Sequence, residues 1–112
     1  MALVAVAGCG SQLPQPRLQD LESPDVTERV RAIKWAGENQ MEAAVPLLVD
    51  RLAEQDPAVR FFAIQSLERI TGETLGYRYL APPAARAQAV ARWRETLASG
   101  RWRNGGGEGT QQ

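Results

Sequence analysis

The side chains that could do chemistry are few in this chain. Its 112 residues include one cysteine, Cys9, and no histidine, so an intrachain disulfide and histidine-based acid–base catalysis are both excluded. A zinc site would need more thiol or imidazole ligands than the chain holds. The carboxylates Asp50, Glu54 and Asp56 lack a second type of ligand nearby, and we interpret them as solvated charges and a helix cap. The sequence therefore predicts no catalytic residue, no metal and no cofactor, and we do not expect an enzyme.

A second group of residues combines positive charge with aromatic rings near the C-terminus. It contains Arg92, Trp93, Arg94, Arg101, Trp102 and Arg103. One interpretation is contact with phosphates, anionic lipid headgroups or an acidic protein, and it makes Arg94, Arg101, Trp102 and Arg103 candidate partner-binding residues. The other is an amphipathic last helix, with Trp93 in the core and the arginines in solvent.

The charge of the whole chain is balanced, but its distribution is not. Thirteen basic and 13 acidic side chains give no net field to attract nucleic acid, which argues against such a partner. Residues 10–75 carry 7 basic and 11 acidic side chains, whereas residues 76–112 carry 6 arginines and 2 glutamates. Any anionic surface would therefore be recognised by the C-terminal part of the chain.

The lone cysteine follows a short apolar segment, residues 1–8. Val6–Ala7–Gly8–Cys9 resembles a lipobox, the cleavage motif of bacterial lipoprotein signal peptides. The resemblance implies that the signal segment is removed and that Cys9 is acylated, which would anchor the protein to a membrane of the bacterial cell envelope, facing the periplasm. Signal peptides begin with a basic stretch, yet no Lys or Arg precedes Arg17, so we expect a start codon further upstream. The alternative is a plain apolar tail with an inert cysteine.

The two segments that flank the predicted folded domain, residues 23–99, are not expected to be part of its helices. Residues 10–22 are expected to form a Pro/Gln tether, because Gln12–Leu13–Pro14–Gln15–Pro16 disfavours a helix. Residues 100–112 are rich in glycine and are expected to form a flexible tail. The elements that could present a binding surface must therefore lie between these flanks.

Within that domain one short pattern occurs twice, 31 residues apart. The matching sets are Asp25, Arg29, Ala32 and Ile33 in the first copy and Asp56, Arg60, Ala63 and Ile64 in the second. A fixed period of this kind is typical of helical hairpins, which stack on one another because a single hairpin cannot bury its apolar face. The sequence therefore predicts an all-α protein with a repeated, surface-presenting architecture.

The first two helices are bounded by capping residues and a proline. The first helix starts near residues 23–25, either with Ser23 as N-cap or with a capping box from Asp25 to Glu28, and Gly37 is expected to end it. The second covers about residues 43–53, because Pro46 must lie in a first helical turn.

The next two helices are separated by a long connection. The third helix begins at Asp56–Pro57 and ends at Gly72. Residues 73–83 then hold both tyrosines, Tyr77 and Tyr79, one of which is expected to cover the open end of the helix stack. The fourth helix covers about residues 84–98, and its predicted apolar face consists of Ala87, Val90, Trp93 and Leu97.

Both copies of the pattern, together with Ala44–Val45–Pro46–Leu47–Leu48, resemble HEAT repeats, in particular the short bacterial HEAT-like kind. The resemblance covers about residues 23–72. It implies that the acidic residue, Asp25 or Asp56, caps the first helix of a hairpin, that Arg29 and Arg60 brace a neighbouring repeat, and that Pro46 opens a second helix. It also implies a right-handed α-solenoid fragment of two hairpins, with the fourth helix as a cap.

The family resemblance implies a non-catalytic scaffold that binds another protein, and the lipobox adds a membrane anchor on Cys9. Trp35 is expected to wedge against the N-terminal tether, or, if exposed, to anchor a partner. An alternative is a cytosolic binder of nucleic acid or another anionic surface through the arginine-rich C-terminal helix. A further alternative, an accessory lyase or chaperone, would need a reactive thiol or acid in a groove, and residues 23–99 contain no cysteine.

Overall fold

The computed structural model describes residues 14–103, which form a stack of helices; Cys9 lies outside the described residues. The elements in order are a 3₁₀ turn at Leu18–Glu22, helix α1 at Val26–Glu38, a 3₁₀ turn at Glu42–Ala44, helix α2 at Val45–Arg51, helix α3 at Pro57–Thr71 and helix α4 at Pro83–Ser99. Residues 14–103 contain no strand. The all-α solenoid predicted from the sequence is confirmed.

The core lies between α1, α2 and α3. Small and branched apolar side chains of these helices are buried, among them Ala32, Ile33, Ala36, Val45, Leu48, Val49, Val59, Ala63 and Leu67. Within each helix these buried residues recur at intervals of three or four positions, so one stripe of the helix faces its neighbours. Burial of this stripe is the main term that stabilises the stack.

The prediction that Gly37 ends α1 is wrong, because Gly37 has a packing role. The helix continues to Glu38, and Asn39 follows as its C-cap. Gly37 is buried where α1 meets α3, and a Cβ atom on it would lie 2.7 Å from Cβ of Ser66. The Ser66 hydroxyl donates a hydrogen bond of 2.8 Å to the carbonyl oxygen of Ile33. The glycine therefore permits close approach of the two helices.

The start of α1 uses Asp25 and not Ser23 as N-cap, which decides between the two predictions. An Asp25 carboxylate oxygen accepts a hydrogen bond of 2.8 Å from the Thr27 amide. The predicted capping box with Glu28 is not formed, because the Ser23 hydroxyl lies between them. It accepts from the Asp25 amide at 3.1 Å and donates to the Glu28 carboxylate at 2.7 Å.

Helix α3 begins as the sequence predicts, and α2 begins at Val45, two residues after the predicted start at residue 43. Pro46 lies in the first turn of α2, although residues 42–44 form a 3₁₀ turn and the α-helix ends at Arg51. In α3, Pro57 is the first residue and the Asp56 side chain accepts from the Ala58 amide at 2.9 Å. Gly72 ends α3 with φ 81°, a left-handed conformation that glycine adopts without strain.

Both flanks of the folded domain are shorter than predicted. Leu21, assigned to the tether, has no exposed surface, and its 3₁₀ turn packs against α1 and α2. Residues 101–103, assigned to the flexible tail, are helical, and Trp102 is 9% exposed. The apolar residues on these flanks explain the difference, because both fill positions against the core that solvent would otherwise reach.

Helix α4 packs against α2. Val90 and Trp93 are buried as predicted, and Leu97 is partly buried, but Ala89 and not Ala87 completes the buried face. The Trp93 indole donates a hydrogen bond of 3.0 Å to the carbonyl oxygen of Thr74, which ties α4 to the connection before it. No helix within residues 14–103 has the length and apolar character needed to cross a bilayer.

Candidate partner-binding surface

Arg29 joins the two repeats through the largely buried carboxylate of Glu54. Its guanidinium group donates to the carbonyl oxygen of Ser23 at 2.7 Å and to the Glu54 carboxylate at 2.9 Å. Glu54 also receives Arg51 at 2.9 Å, so two cations share one anion. The interpretation of Glu54 as a solvated charge is therefore wrong, because its side chain is only 16% exposed.

Arg60 occupies the equivalent position in the second repeat and is 6% exposed. It donates to the carbonyl oxygens of Glu54 at 2.9 Å and Gln55 at 2.7 Å, at the start of its own repeat. Two further donors reach the carbonyl oxygen of Tyr79 at 2.9 and 3.0 Å. Both arginines of the repeat pattern thus use their N–H groups inside the chain and offer little to a partner.

The connection between α3 and α4 covers the outer side of α3. The Tyr77 hydroxyl donates a hydrogen bond of 2.7 Å to the carbonyl oxygen of Leu52, and the Tyr79 ring packs edge-on against Phe61 with 5.1 Å between the centroids. Burial raises the pKa of Tyr77, and the positive charges of Arg60 and Arg86 offset part of that rise. Tyr77 is therefore a neutral, structural hydroxyl at ordinary pH.

The arginine and tryptophan cluster of the C-terminal part is dispersed over several contacts. Trp93 lies fully in the core, and Trp102 is 9% exposed, so Trp102 is not an accessible anchor. Arg92 donates to the carbonyl oxygen of Leu75 at 2.9 Å, and the Arg103 guanidinium lies 4.9 Å from the Trp102 ring centre. Cations stacked on rings or bound to carbonyl groups do not form one continuous anion-binding surface.

Trp35 is partly buried and lines a groove on the free side of α1. The groove has a volume of about 680 Å³, and Pro16, Val26 and Val30 also line it. Arg31 donates a hydrogen bond to the carbonyl oxygen of Pro14, so the chain before the first 3₁₀ turn lies beside this side of α1. Trp35 and the preceding segment therefore share one groove, and the indole N–H has no hydrogen-bond partner among the described residues.

A second groove, which the sequence analysis missed, runs between the end of α2 and α4. It has a volume of about 490 Å³ and an apolar floor that includes Ala53, Ala87 and Ala91. Arg86 and Arg94 line it, and they are eight residues apart on α4. A sequence signal was available, because arginines at this spacing lie about two helical turns apart along the axis and about 80° apart around it, within one broad side of the helix.

Arg86 and Arg94 differ in the contacts that their guanidinium groups make within the chain. The Nε atom of Arg86 donates to the carbonyl oxygen of Ala81 at 2.9 Å, and no described residue accepts from its two terminal nitrogens. Arg94 pairs with Asp50 at 3.3 Å, but these side chains are 56% and 46% exposed. An exposed ion pair of this kind contributes about 0–1 kcal/mol, so an incoming carboxylate can compete for the Arg94 guanidinium.

The fold and these surfaces define a class of protein, the helical-repeat modules that offer surfaces and grooves for other macromolecules. The chain belongs to the family of HEAT repeats, whose profile matches residues 14–93. The match begins before the first 3₁₀ turn and includes much of α4, so the family covers more of the chain than the repeated pattern does. No curated protein and no solved structure gives a significant match. HEAT repeats generally mediate protein–protein interaction and are typically non-catalytic.

Proposed function

We propose that the protein is a non-catalytic, protein-binding scaffold that a lipid on Cys9 anchors in the bacterial cell envelope, where it faces the periplasm. Membership of the HEAT repeats supports the binding role, because such repeats typically bind other proteins. The sequence Val6–Ala7–Gly8–Cys9 is the observation that carries the anchor. The thiolate of a lipobox cysteine is a nucleophile that can accept a lipid group, and no other cysteine competes with it.

The proposed anchor has a geometric consequence for the partner. The first element of the folded domain begins at Leu18, so residues 10–17 alone separate Cys9 from the helix stack. Even fully extended, these eight residues and their links span at most about 30 Å. The domain would therefore remain close to the membrane surface, and its partner must reach or reside near that surface.

The alternative, a cytosolic binder of nucleic acid or an anionic surface, receives less support from the contacts. Arg92 and Arg103 are engaged within the chain, and Arg94 has an acidic neighbour in Asp50. Affinity for a phosphate backbone depends on several cations that act together on one surface. Arg101 is exposed in this region, but one cation does not provide such a surface.

The anchor is tested by acylation in a bacterium that expresses the gene with its native upstream DNA. We expect a radiolabelled fatty acid to be incorporated in the wild type, with the protein in the membrane fraction, and both signals to disappear in Cys9→Ala. Ser11→Ala, two residues away, is the matched control and should retain the label. An unlabelled, soluble wild-type protein that keeps Met1 would overturn the anchor and bring the cytosolic alternative forward.

A further inference from the structure

We propose that the groove between α2 and α4 binds an acidic helical segment of a partner protein, with one carboxylate on Arg86 and another on Arg94. The inference deepens the proposed protein-binding role by naming the chemistry of the partner. It does not depend on the lipid anchor. The charge of the groove, the spacing of its two arginines and its apolar floor support this choice of partner.

The positive charge of the groove comes from Arg86 and Arg94. Arg86 is partly buried, and the hydrogen bond from its Nε to the carbonyl oxygen of Ala81 fixes the plane of its guanidinium group. Both terminal nitrogens then remain for a carboxylate, which a guanidinium group binds through two parallel hydrogen bonds. Because little side-chain entropy is left to lose, a fixed arginine binds an anion at lower cost than a mobile one.

The second cation, Arg94, is exposed and easily shared. Its Asp50 contact uses one terminal nitrogen at 3.3 Å, which leaves other N–H groups for a partner. Arg86 and Arg94 are eight residues apart, so their Cα atoms are separated by about 12 Å along α4. A partner helix that runs alongside α4 would match this distance with acidic residues seven or eight positions apart, about two of its own turns.

The floor of the groove favours a helix as the partner over a partner with a flat surface. The exposed residues Ala53, Ala87 and Ala91 line it, with Val90 and Leu52 beneath them. Alanine side chains let two helix backbones approach closely, and the apolar floor calls for apolar residues between the two acids of the partner. Asp50, which contacts Arg94 at 3.3 Å, is an anion beside the groove, and it disfavours a partner with acids outside the two arginine positions.

The test uses the full-length protein and two labelled synthetic peptides of about four helical turns. One peptide carries two glutamates about two turns apart with Ala, Val and Leu between them, and the other has glutamine in place of both glutamates. Fluorescence anisotropy at low and physiological salt reports the affinity. We expect the acidic peptide to bind at least about tenfold more tightly than the glutamine peptide, and the difference to shrink as salt rises.

Variants of the protein localise the binding. The double variant Arg86→Gln/Arg94→Gln should weaken binding of the acidic peptide about tenfold or more, and Ala91→Gln should block the floor without any change of charge. Arg101→Gln is the matched control, because it removes an exposed arginine outside the groove and should leave binding unchanged. Since Arg86→Gln also loses the contact with Ala81, circular dichroism must show that it is folded; Arg94→Gln and Ala91→Gln keep that contact.

The outcomes separate this inference from the proposed function. Equal binding of the two peptides, or an effect of Arg101→Gln as large as that of the double variant, would overturn the groove as an acid-binding site. Tight binding of an oligonucleotide to the same groove, lost in the same variants, would overturn the choice of a protein partner. A negative peptide result beside a positive fatty-acid label on Cys9 would remove the groove and leave the anchored scaffold intact.

Discussion

The two copies of the repeat share the aspartate cap and one arginine hydrogen bond, but the second partner of the arginine differs between them. In both, an aspartate caps the helix through the amide two residues later, and an arginine donates to the carbonyl oxygen six residues before it. Beyond that point Arg29 binds the carboxylate of Glu54, whereas Arg60 binds the backbone carbonyl of Tyr79. The repeat pattern thus determines the position of the arginine and its first hydrogen bond, and the segment that follows each repeat supplies its second partner. We call Arg29 and Arg60, with these contacts, the two braces.

This difference teaches how a short repeat array can end. Between the repeats, the carboxylate of Glu54, on the α2–α3 connection, accepts a hydrogen bond from Arg29. After the second repeat, the long connection to α4 supplies a carbonyl group instead, and its aromatic side chains cover α3. An ion pair is sensitive to salt, while hydrogen bonds to neutral carbonyl groups are much less so. The two braces are therefore expected to respond differently to mutation and to solvent.

The largest effect is expected for Arg60→Met. The substitution keeps an apolar stem but leaves three carbonyl oxygens, of Glu54, Gln55 and Tyr79, without their donor, so the free energy of unfolding should fall by about 3 kcal/mol. Urea denaturation followed by circular dichroism measures this loss. A loss no greater than that of Arg29→Met would contradict the view that the brace at the end of the array is the stronger one.

The second largest effect is expected where α1 crosses α3, at Gly37 and Ser66. Gly37→Ala adds a Cβ atom 2.8 Å from Cα of Ser66, so α1 and α3 must separate. We expect the free energy of unfolding to fall by about 2 kcal/mol, although alanine favours a helix by about 1 kcal/mol over glycine. Glu38→Ala is the control at the next, exposed position and should change it by less than about 0.5 kcal/mol. Equal stability of both variants would show that the junction is looser than described.

A smaller effect is expected for Arg29→Met, about 1.5 kcal/mol, because Glu54 keeps its contact with Arg51. The comparison is sharpened by a double-mutant cycle with Glu54→Gln, measured at low and high salt. The coupling energy between Arg29 and Glu54 should decrease by a small but measurable amount as salt rises, because both side chains are 16% exposed, while the loss caused by Arg60→Met should stay nearly constant. The same salt response in both experiments would remove the distinction between the braces.

The smallest effect is expected for Tyr77→Phe, which removes the hydrogen bond to Leu52 and should lower the free energy of unfolding by about 1 kcal/mol. Because burial raises the pKa of Tyr77 above 10.0, the unfolded chain loses this proton first as pH rises. The stabilisation is thus complete below pH 10.0 and declines above it. Urea denaturation from about pH 9 to pH 11 should show the advantage of the wild type shrinking. A constant difference would mean that Tyr77 is not protected by burial.

The sequence predicted the fold where the repeat was explicit and failed where the chain departed from it. The caps Asp25 and Asp56 and the position of Pro46 follow from local rules that need no tertiary information. The role of Gly37 could not be predicted, because a glycine at a helix crossing and a glycine at a helix end look alike in sequence. Leu21 could have been placed, since it precedes the buried Leu52 by the same 31 residues that separate the repeats.

The candidate site was harder to predict than the fold, for a physical reason. In sequence Arg94 lies close to other arginines and to Trp93. In the structure, by contrast, it lines one groove with Arg86 of α4 and with Ala53 of the connection between α2 and α3. Exposure of a side chain depends on which face of a helix is covered. Trp102, a candidate partner-binding residue in the sequence, is therefore buried, whereas Arg86, which was not among the candidates, lines a groove.

The contact between Gly37 and Ser66 also bears on whether copies of this domain can polymerise. The residues 31 positions away in the repeat are Glu68, in place of the glycine, and Trp35, in place of the serine. A second molecule that stacked on α3 as α3 stacks on α1 would meet a carboxylate where the close approach needs no side chain at all. The carboxylate of Glu68 therefore disfavours this mode of stacking, so the helix crossing between α1 and α3 is not expected to continue from one copy to the next.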